Sequence, residues 1–200
     1  MIVIGLTGGL ASGKTEIAKM FAALGAKVLN ADKIAHRALY RKTIAYKQVI
    51  GKFGKGFLNA DDSINRKKLA KLIFESDKKQ QQLCRIIHPW VFEYIKKRIK
   101  KIEKNKAVKA VVVEMVVLIE SGFYKHIDKI LLVNATTGQQ MQRAILRNNM
   151  TKVQAKQRMR FQLGFNQKSK YADYIIDNRR TLKDTGKQVE KIWKTILREK

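Results

Sequence analysis

One segment constrains this chain more than any other: Gly8-Gly9-Leu10-Ala11-Ser12-Gly13-Lys14-Thr15, a glycine, four residues, then Gly-Lys-Thr. It follows the short β-branched run Ile2-Val3-Ile4-Gly5-Leu6. It precedes Ile17, Ala18, Phe21, Ala22 and Leu24, which recur at helical spacing until Gly25. A strand feeding a glycine-rich loop that opens a helix is the context in which this spacing cradles phosphate. Glycines let backbone N–H groups curl around phosphate oxygens, and the following helix presents its positive end to them. Lys14 is placed to reach the β- and γ-phosphates of a nucleoside triphosphate, and the Thr15 hydroxyl to ligate Mg²⁺. The alternative, a glycine-rich turn with a surface lysine, leaves the strand and helix on either side unexplained.

Lys27-Val28-Leu29-Asn30 reads as a second strand and completes the βαβ start of a parallel sheet. Ala110 to Val113 and Ile130 to Val133 are continuous apolar runs, the pattern of strands buried on both faces. Tyr174-Ile175-Ile176 reads as a last short strand, and Leu182, Val189, Ile192, Trp193, Ile196 and Leu197 mark a closing amphipathic helix. From Lys33 to about Asn105 the pattern is helical, with Pro89, the only proline, placed to open the helix that carries Phe92 and Ile95. A basic helical stretch covers Gln139 to Phe161. With 200 residues at 45% hydrophobic, the chain suits one α/β unit with inserted subdomains.

Charge narrows the partners. Forty-three Lys and Arg against 16 Asp and Glu give a formal +27, which attracts polyanions of any kind. The densest cluster, Lys96, Lys97, Arg98, Lys100, Lys101, Lys104, Lys106 and Lys109, interleaves with Phe92, Ile95, Ile99 and Ile102 at helical spacing. It reads as the wet face of an amphipathic helix, so a solvated surface is favoured over a nucleic-acid face and no stable nucleic-acid partner is expected. Cys84 is the sole cysteine, which rules out an intrachain disulfide. No apolar stretch is long enough to span a bilayer, and a cytoplasmic location with no membrane partner is the expectation. Oligomeric state is open.

Asp32 lies just past the second strand. In a parallel sheet ligands gather at the carboxyl ends of strands, which makes this carboxylate a candidate base for an attacking hydroxyl. A helix N-cap for the segment starting at Lys33 is the competing role.

Gly5 to Thr15 together with Asn30-Ala31-Asp32-Lys33-Ile34-Ala35-His36 closely resembles the dephospho-CoA kinases. Further matches follow in order along nearly the whole chain: Ile64-Asn65-Arg66 with Leu69 and Phe74, Ile86-Ile87-His88-Pro89, Leu118-Ile119-Glu120-Ser121-Gly122, and Gln140 with Arg143 and Arg147. Arg158, Gln162 and Lys168, then Ala172 to Asn178, resemble the family's carboxyl-terminal signature. The resemblance implies an α/β P-loop kinase-like three-layer fold with a central parallel β-sheet, a helical acceptor-binding insertion and a helical lid. The core would comprise about 1–35, 108–136 and 172–200, the acceptor region about 36–107 and the lid about 137–171.

It implies phosphorylation of the ribose 3′-hydroxyl of dephospho-CoA by ATP with Mg²⁺. Asp32, Lys14, Arg143 and Arg147 would be catalytic. Gly8, Gly9, Ala11, Ser12, Gly13, Lys14, Thr15, Glu16 and Asn178 would bind ATP, Thr15 would bind the metal, and Asp32, Arg66 and His88 would meet the acceptor. For His88 a structural role, and for Asn178 a loop-capping role, compete with these. Rival readings are another small-molecule or nucleoside monophosphate P-loop kinase, against which Ile86 to Pro89 argues, and a nucleic-acid-binding P-loop ATPase.

The chain departs from the family pattern at several points. Ala11 stands where glycine is usual, a change tolerable at negative φ. Glu16 follows Thr15 where a second hydroxyl is common, and Asn30 replaces the first Asp of Asp-Ala-Asp. Glu114-Met115-Val116-Val117 stands for Asp-x-Pro-Leu, with Glu114 either near Mg²⁺ or a strand-end carboxylate facing solvent. Gly138, Gly164 and Arg180 replace a glutamate, a proline and a glycine.

Overall fold

A computed structural model describes residues 1–74, 76–148 and 150–199; the side chains of Phe74, Arg147 and Asn148 are outside that description. The described chain divides into two compact units, residues 1–30 with 99–200 and residues 31–98.

The first unit is built on a five-stranded, wholly parallel sheet: β1 (Ile2–Gly8), β2 (Lys27–Asn30), β3 (Ala110–Glu114), β4 (Lys129–Asn134) and β5 (Tyr174–Asp177), in the order β2-β3-β1-β4-β5. The four strand pairings are all parallel. Every residue of β3 is buried, and so are the inner four of β4. Their unbroken apolar runs follow from having cover on both faces.

From β1 the chain crosses through helix α1 (Lys14–Ala23) to β2 on one side, and from β3 it crosses to β4 on the other. The carboxyl ends of neighbouring β1 and β3 are therefore the switch point of the sheet, where a parallel α/β fold opens its ligand crevice. In the register Leu6 stands opposite Glu114, so the Gly8–Thr15 loop and Glu114 meet there.

One face of the sheet packs Ile4, Leu6, Val112, Leu131 and Ile176 against Ile17 and Phe21 of α1 and against Val189, Ile192, Trp193 and Ile196 of α9 (Leu182–Arg198). Phe21 and Trp193 meet with ring centroids 6.0 Å apart. Thr181 caps α9 by accepting the Asp184 N–H. The basic helical stretch comprises two helices, α6 (Thr137–Asn148) and α7 (Lys152–Arg160), and the short α8 (Phe165–Ser169) follows it. Thr151 and Gln154 form a reciprocal capping box that starts α7.

The second unit holds α2 (Ala31–Ala38), α3 (Ile44–Phe53), α4 (Arg66–Phe74) and most of α5 (Asp77–Glu103), joined by loops, among which Leu58 and Ile64 form an isolated antiparallel bridge. Pro89 corrects the sequence expectation, because it lies inside the 27-residue α5 rather than opening a helix. Ile87, Val91 and Ile95 form a buried i, i+4, i+8 stripe through the proline, and packing on both sides carries the helix across one missing N–H. Among the described residues no helix is long and apolar enough to cross a membrane.

Candidate active site

The loop after β1 is shaped by its glycines and by side chains from outside it. Gly13, the N-cap of α1, has φ 100, and a Cβ there would lie 2.0 Å from the Asn178 amide nitrogen. Ala11 has φ 52, so the condition under which alanine is tolerable there, a negative φ, is not met. The turn requires left-handed backbone whatever residue occupies it, and an alanine carries strain there.

Lys14 is 5% exposed, and its Nζ donates to the carbonyls of Gly8 (3.1 Å) and Gly9 (2.8 Å) and to Ser12 Oγ (3.4 Å). The ammonium group is thereby held in the concavity of the loop by neutral acceptors. The Ser12 carbonyl accepts from Asn178 Nδ2 at 2.8 Å and from Arg143 Nη1 at 3.4 Å. In a trans peptide the N–H points opposite to the C=O, so fixing this carbonyl aims the Gly13 N–H the other way, as an anion-binding loop needs.

Arg143 of α6 also donates to the Asn178 carbonyl at 3.2 Å, and Asn178 Oδ1 accepts from the Thr185 hydroxyl at 2.9 Å. Asn178 is 4% exposed and spans the loop, α6 and α9, so the capping reading describes its contacts in this structure. Arg147 lies one turn along α6 from Arg143, and its side chain is outside the described residues, as is that of Phe74 at the end of α4.

Glu114 resolves an alternative that the sequence leaves open. It is 4% exposed, ruling out a solvent-facing carboxylate. Its two oxygens accept from the Thr15 hydroxyl and from Asn30 Nδ2, each at 2.6 Å. Asn30 thus pairs an amide with a carboxylate, where an aspartate would have set two carboxylates against each other. Glu16 stands in the first turn of α1 and pairs at 3.0 Å with exposed Lys19.

Gln162 and Lys168, matched in the sequence to the family's carboxyl-terminal signature without a role, also contribute. Gln162 accepts the Leu10 N–H at 2.9 Å, so a side chain just past α7 caps the loop. Lys168 of α8 is 1% exposed; it donates to the Val116 carbonyl at 2.5 Å and pairs with Glu120 at 3.0 Å, while Glu120 also accepts the Leu163 N–H at 2.8 Å. Glu120 Oε2 is buried with no hydrogen-bond partner among the described residues. The burial of Lys168, which requires a partner, is visible only in the fold; in the sequence its signal was its place in the family's carboxyl-terminal signature.

In the second unit, Asp32 sits in the first turn of α2, one residue past the helix start, where the positive helix end favours its charge. Arg66 Nη1 lies 3.1 Å from His36 Nδ1, and both line a cavity of about 560 Å³ with Lys33, Arg37, Leu39, Tyr40, Arg41, Ser63 and Ile64. His88 is not in that lining; its ring stacks on Phe92 at 5.9 Å.

A parallel sheet of this order with a glycine loop, a buried loop lysine and a carboxylate on the neighbouring strand defines a P-loop kinase fold. A shikimate kinase from Acinetobacter baumannii has the same fold, with a TM-score of 0.56 over 100% of this chain and 95% of that one at 16% identity. The chain belongs to the dephospho-CoA kinase family, whose model matches residues 2–184. It is 39% identical over 198 residues to the dephospho-CoA kinase of Aquifex aeolicus, covering 98% of each chain. The structure of dephospho-CoA kinase from Campylobacter jejuni superposes with a TM-score of 0.70 at 27% identity, covering 98% of each chain.

Proposed function

We propose that this chain transfers the γ-phosphoryl group of ATP to the ribose 3′-hydroxyl of dephospho-CoA, giving coenzyme A and ADP. The observation that carries the reaction class is Lys14 inside the Gly8–Thr15 loop with Thr15 bonded to Glu114. Family membership supports the acceptor.

In this reading the loop N–H groups and Lys14 hold the β- and γ-phosphates, and Arg143 and Arg147 meet charge developing on the transferred group. Gly8, Gly9, Ala11, Ser12, Gly13 and Glu16 shape the phosphate cradle, and Asn178 lies toward the adenine. Asp32 accepts the proton of the ribose hydroxyl, or orients it, while Arg66 and His88 serve acceptor binding. The Thr15 hydroxyl and Glu114 carboxylate are hard oxygen donors and fit Mg²⁺. When bound, Mg²⁺ neutralises charge on the β- and γ-oxygens. The segment 137–171 acts as the lid that excludes water, which would otherwise take the phosphoryl group. The reaction is placed in the cytoplasm.

The test is ADP release from Mg²⁺-ATP with dephospho-CoA, adenosine monophosphate or single-stranded DNA added, with mass spectrometry of the acceptor. Dephospho-CoA alone should drive ADP release and gain one phosphate mass. Asp32→Asn should lower kcat by about 10²–10⁴-fold with little change in ATP affinity, whereas Lys14→Ala should damage phosphate binding and transfer together. ADP release driven by DNA, or equal small effects of the two substitutions, would contradict the proposal.

A further inference from the structure

The phosphate loop carries one large apolar side chain that takes no part in holding phosphate. The Ser12 N–H donates to the Gly9 carbonyl at 3.2 Å, which closes a turn with Leu10 and Ala11 at its two corners. Positive φ at the second corner is a common way for such a turn to close, and Ala11 stands there at φ 52. An aliphatic side chain at the corner of a loop stays in water unless another element covers it, yet Leu10 is buried. The lid covers it. Leu10 packs with Ala144 of α6 and Ala155 of α7, two buried alanines small enough to bring their helices close, and Ala11, Met141, Met150 and Met159 surround the contact.

The backbone of the same residue is held from just past α7, where Gln162 Oε1 accepts the Leu10 N–H at 2.9 Å. Gln162 is itself fixed, because the next residue, Leu163, donates its N–H to Glu120, whose carboxylate also pairs with buried Lys168. Lys168 in turn donates to the Val116 carbonyl, which the Thr7 hydroxyl also reaches at 3.1 Å. Leu10 is thus gripped twice, by its amide and by its side chain. On α6, Ala144 directly follows Arg143, and Arg147 comes three residues later. A side chain seated on Ala144 therefore sets how far α6 stands from the loop, and with it Arg143, whose Nη1 lies 3.4 Å from the Ser12 carbonyl. Three of the chain's six methionines line this contact, and unbranched thioether side chains remould, so the contact can persist while a lid shifts.

We infer that Leu10 is a positioning residue for phosphoryl transfer: its side chain seats the lid on the phosphate loop, so that the arginines of α6 stand at a fixed height above it. The inference rests on the reading of Arg143, Arg147 and the 137–171 lid given above. It assigns a task to a position that the phosphate-loop pattern leaves open to any residue, since the pattern specifies only its glycines, lysine and threonine. Lys14 and the loop N–H groups hold ATP without the Leu10 side chain, so its loss is felt after ATP has bound. Charge developing on the transferred group then meets displaced arginines. The loosened lid also admits water, which takes the γ-phosphoryl group in place of the acceptor and gives inorganic phosphate and ADP.

The experiment measures kcat, KM for ATP and the share of ADP that appears with inorganic phosphate instead of phosphorylated dephospho-CoA, in wild type, Leu10→Ala and Leu10→Met. Leu10→Ala should lower kcat by roughly ten- to a hundredfold, leave KM for ATP within about threefold, and raise the phosphate share several-fold. Leu10→Met keeps the volume and should restore all three to near wild-type values. A double-mutant cycle with Arg143→Gln asks whether Leu10 acts through that arginine: Leu10→Ala should cost much less kcat in the Arg143→Gln background than alone. Should Leu10→Ala not fold, Met159→Ala opens the same contact from the lid side and should raise the phosphate share in the same way. The inference is overturned by a folded Leu10→Ala, or in its place Met159→Ala, with wild-type kcat and phosphate share, by Leu10→Met as impaired as Leu10→Ala, or by additive losses in the cycle. A wild-type protein that does not phosphorylate dephospho-CoA would instead overturn the proposed function, so the two failures are distinct.

Discussion

Ala11 is the residue at which the loop's geometry and its sequence disagree. At φ 52 its Cβ crowds the following carbonyl, a cost of about 1–2 kcal/mol that glycine escapes. Glycine also loses more freedom on folding, which takes back roughly 0.5–1 kcal/mol. Ala11→Gly should therefore stabilise the protein by up to about 1.5 kcal/mol, read as a higher urea midpoint at unchanged slope, and a lower midpoint would show that the strain is not there. The sequence located every member of the loop, because the spacing of glycines, lysine and threonine is itself the mechanism. It could not show the sign of φ at position 11, which depends on how the turn closes against Gly9 and Ser12. The roles of Glu114 and Asn30 were hidden for a related reason: their pairing exists only once parallel register sets the end of β3 beside the ends of β1 and β2.

Secondary structure was legible where one cause dominates. Fully buried parallel strands leave continuous apolar runs, and β3 and β4 fell where those runs lie; the partly exposed edge strands β2 and β5 were legible instead from short β-branched and aliphatic runs, within a residue or so at their ends. Pro89 was misread because a proline is a local signal, while the stripe Ile87, Val91, Ile95 that carries α5 past it is a property of the whole helix. That reading has a measurable consequence. An interior proline removes one backbone hydrogen bond and crowds the carbonyl of residue i−4, at a cost of about 3 kcal/mol in an unconstrained helix. Replacing it also loosens the unfolded chain, by roughly 0.4–1 kcal/mol. Pro89→Ala should raise stability by about 2–2.5 kcal/mol in urea unfolding. A loss of stability would mean that α5 bends at this point to make contacts that a straight helix cannot.

For the whole molecule the dominant quantity is the excess of 27 positive charges. With 43 cations and 16 anions, ion pairing cannot neutralise the surface, so a positive field extends into solvent over about 10 Å at 0.1 M salt. Both proposed substrates are polyanions, and such a field raises their local concentration without any specific contact. On this account kcat/KM for dephospho-CoA falls steadily between about 0.02 and 0.5 M salt while kcat holds, as screening length shortens. A flat profile would assign the charge to solubility alone.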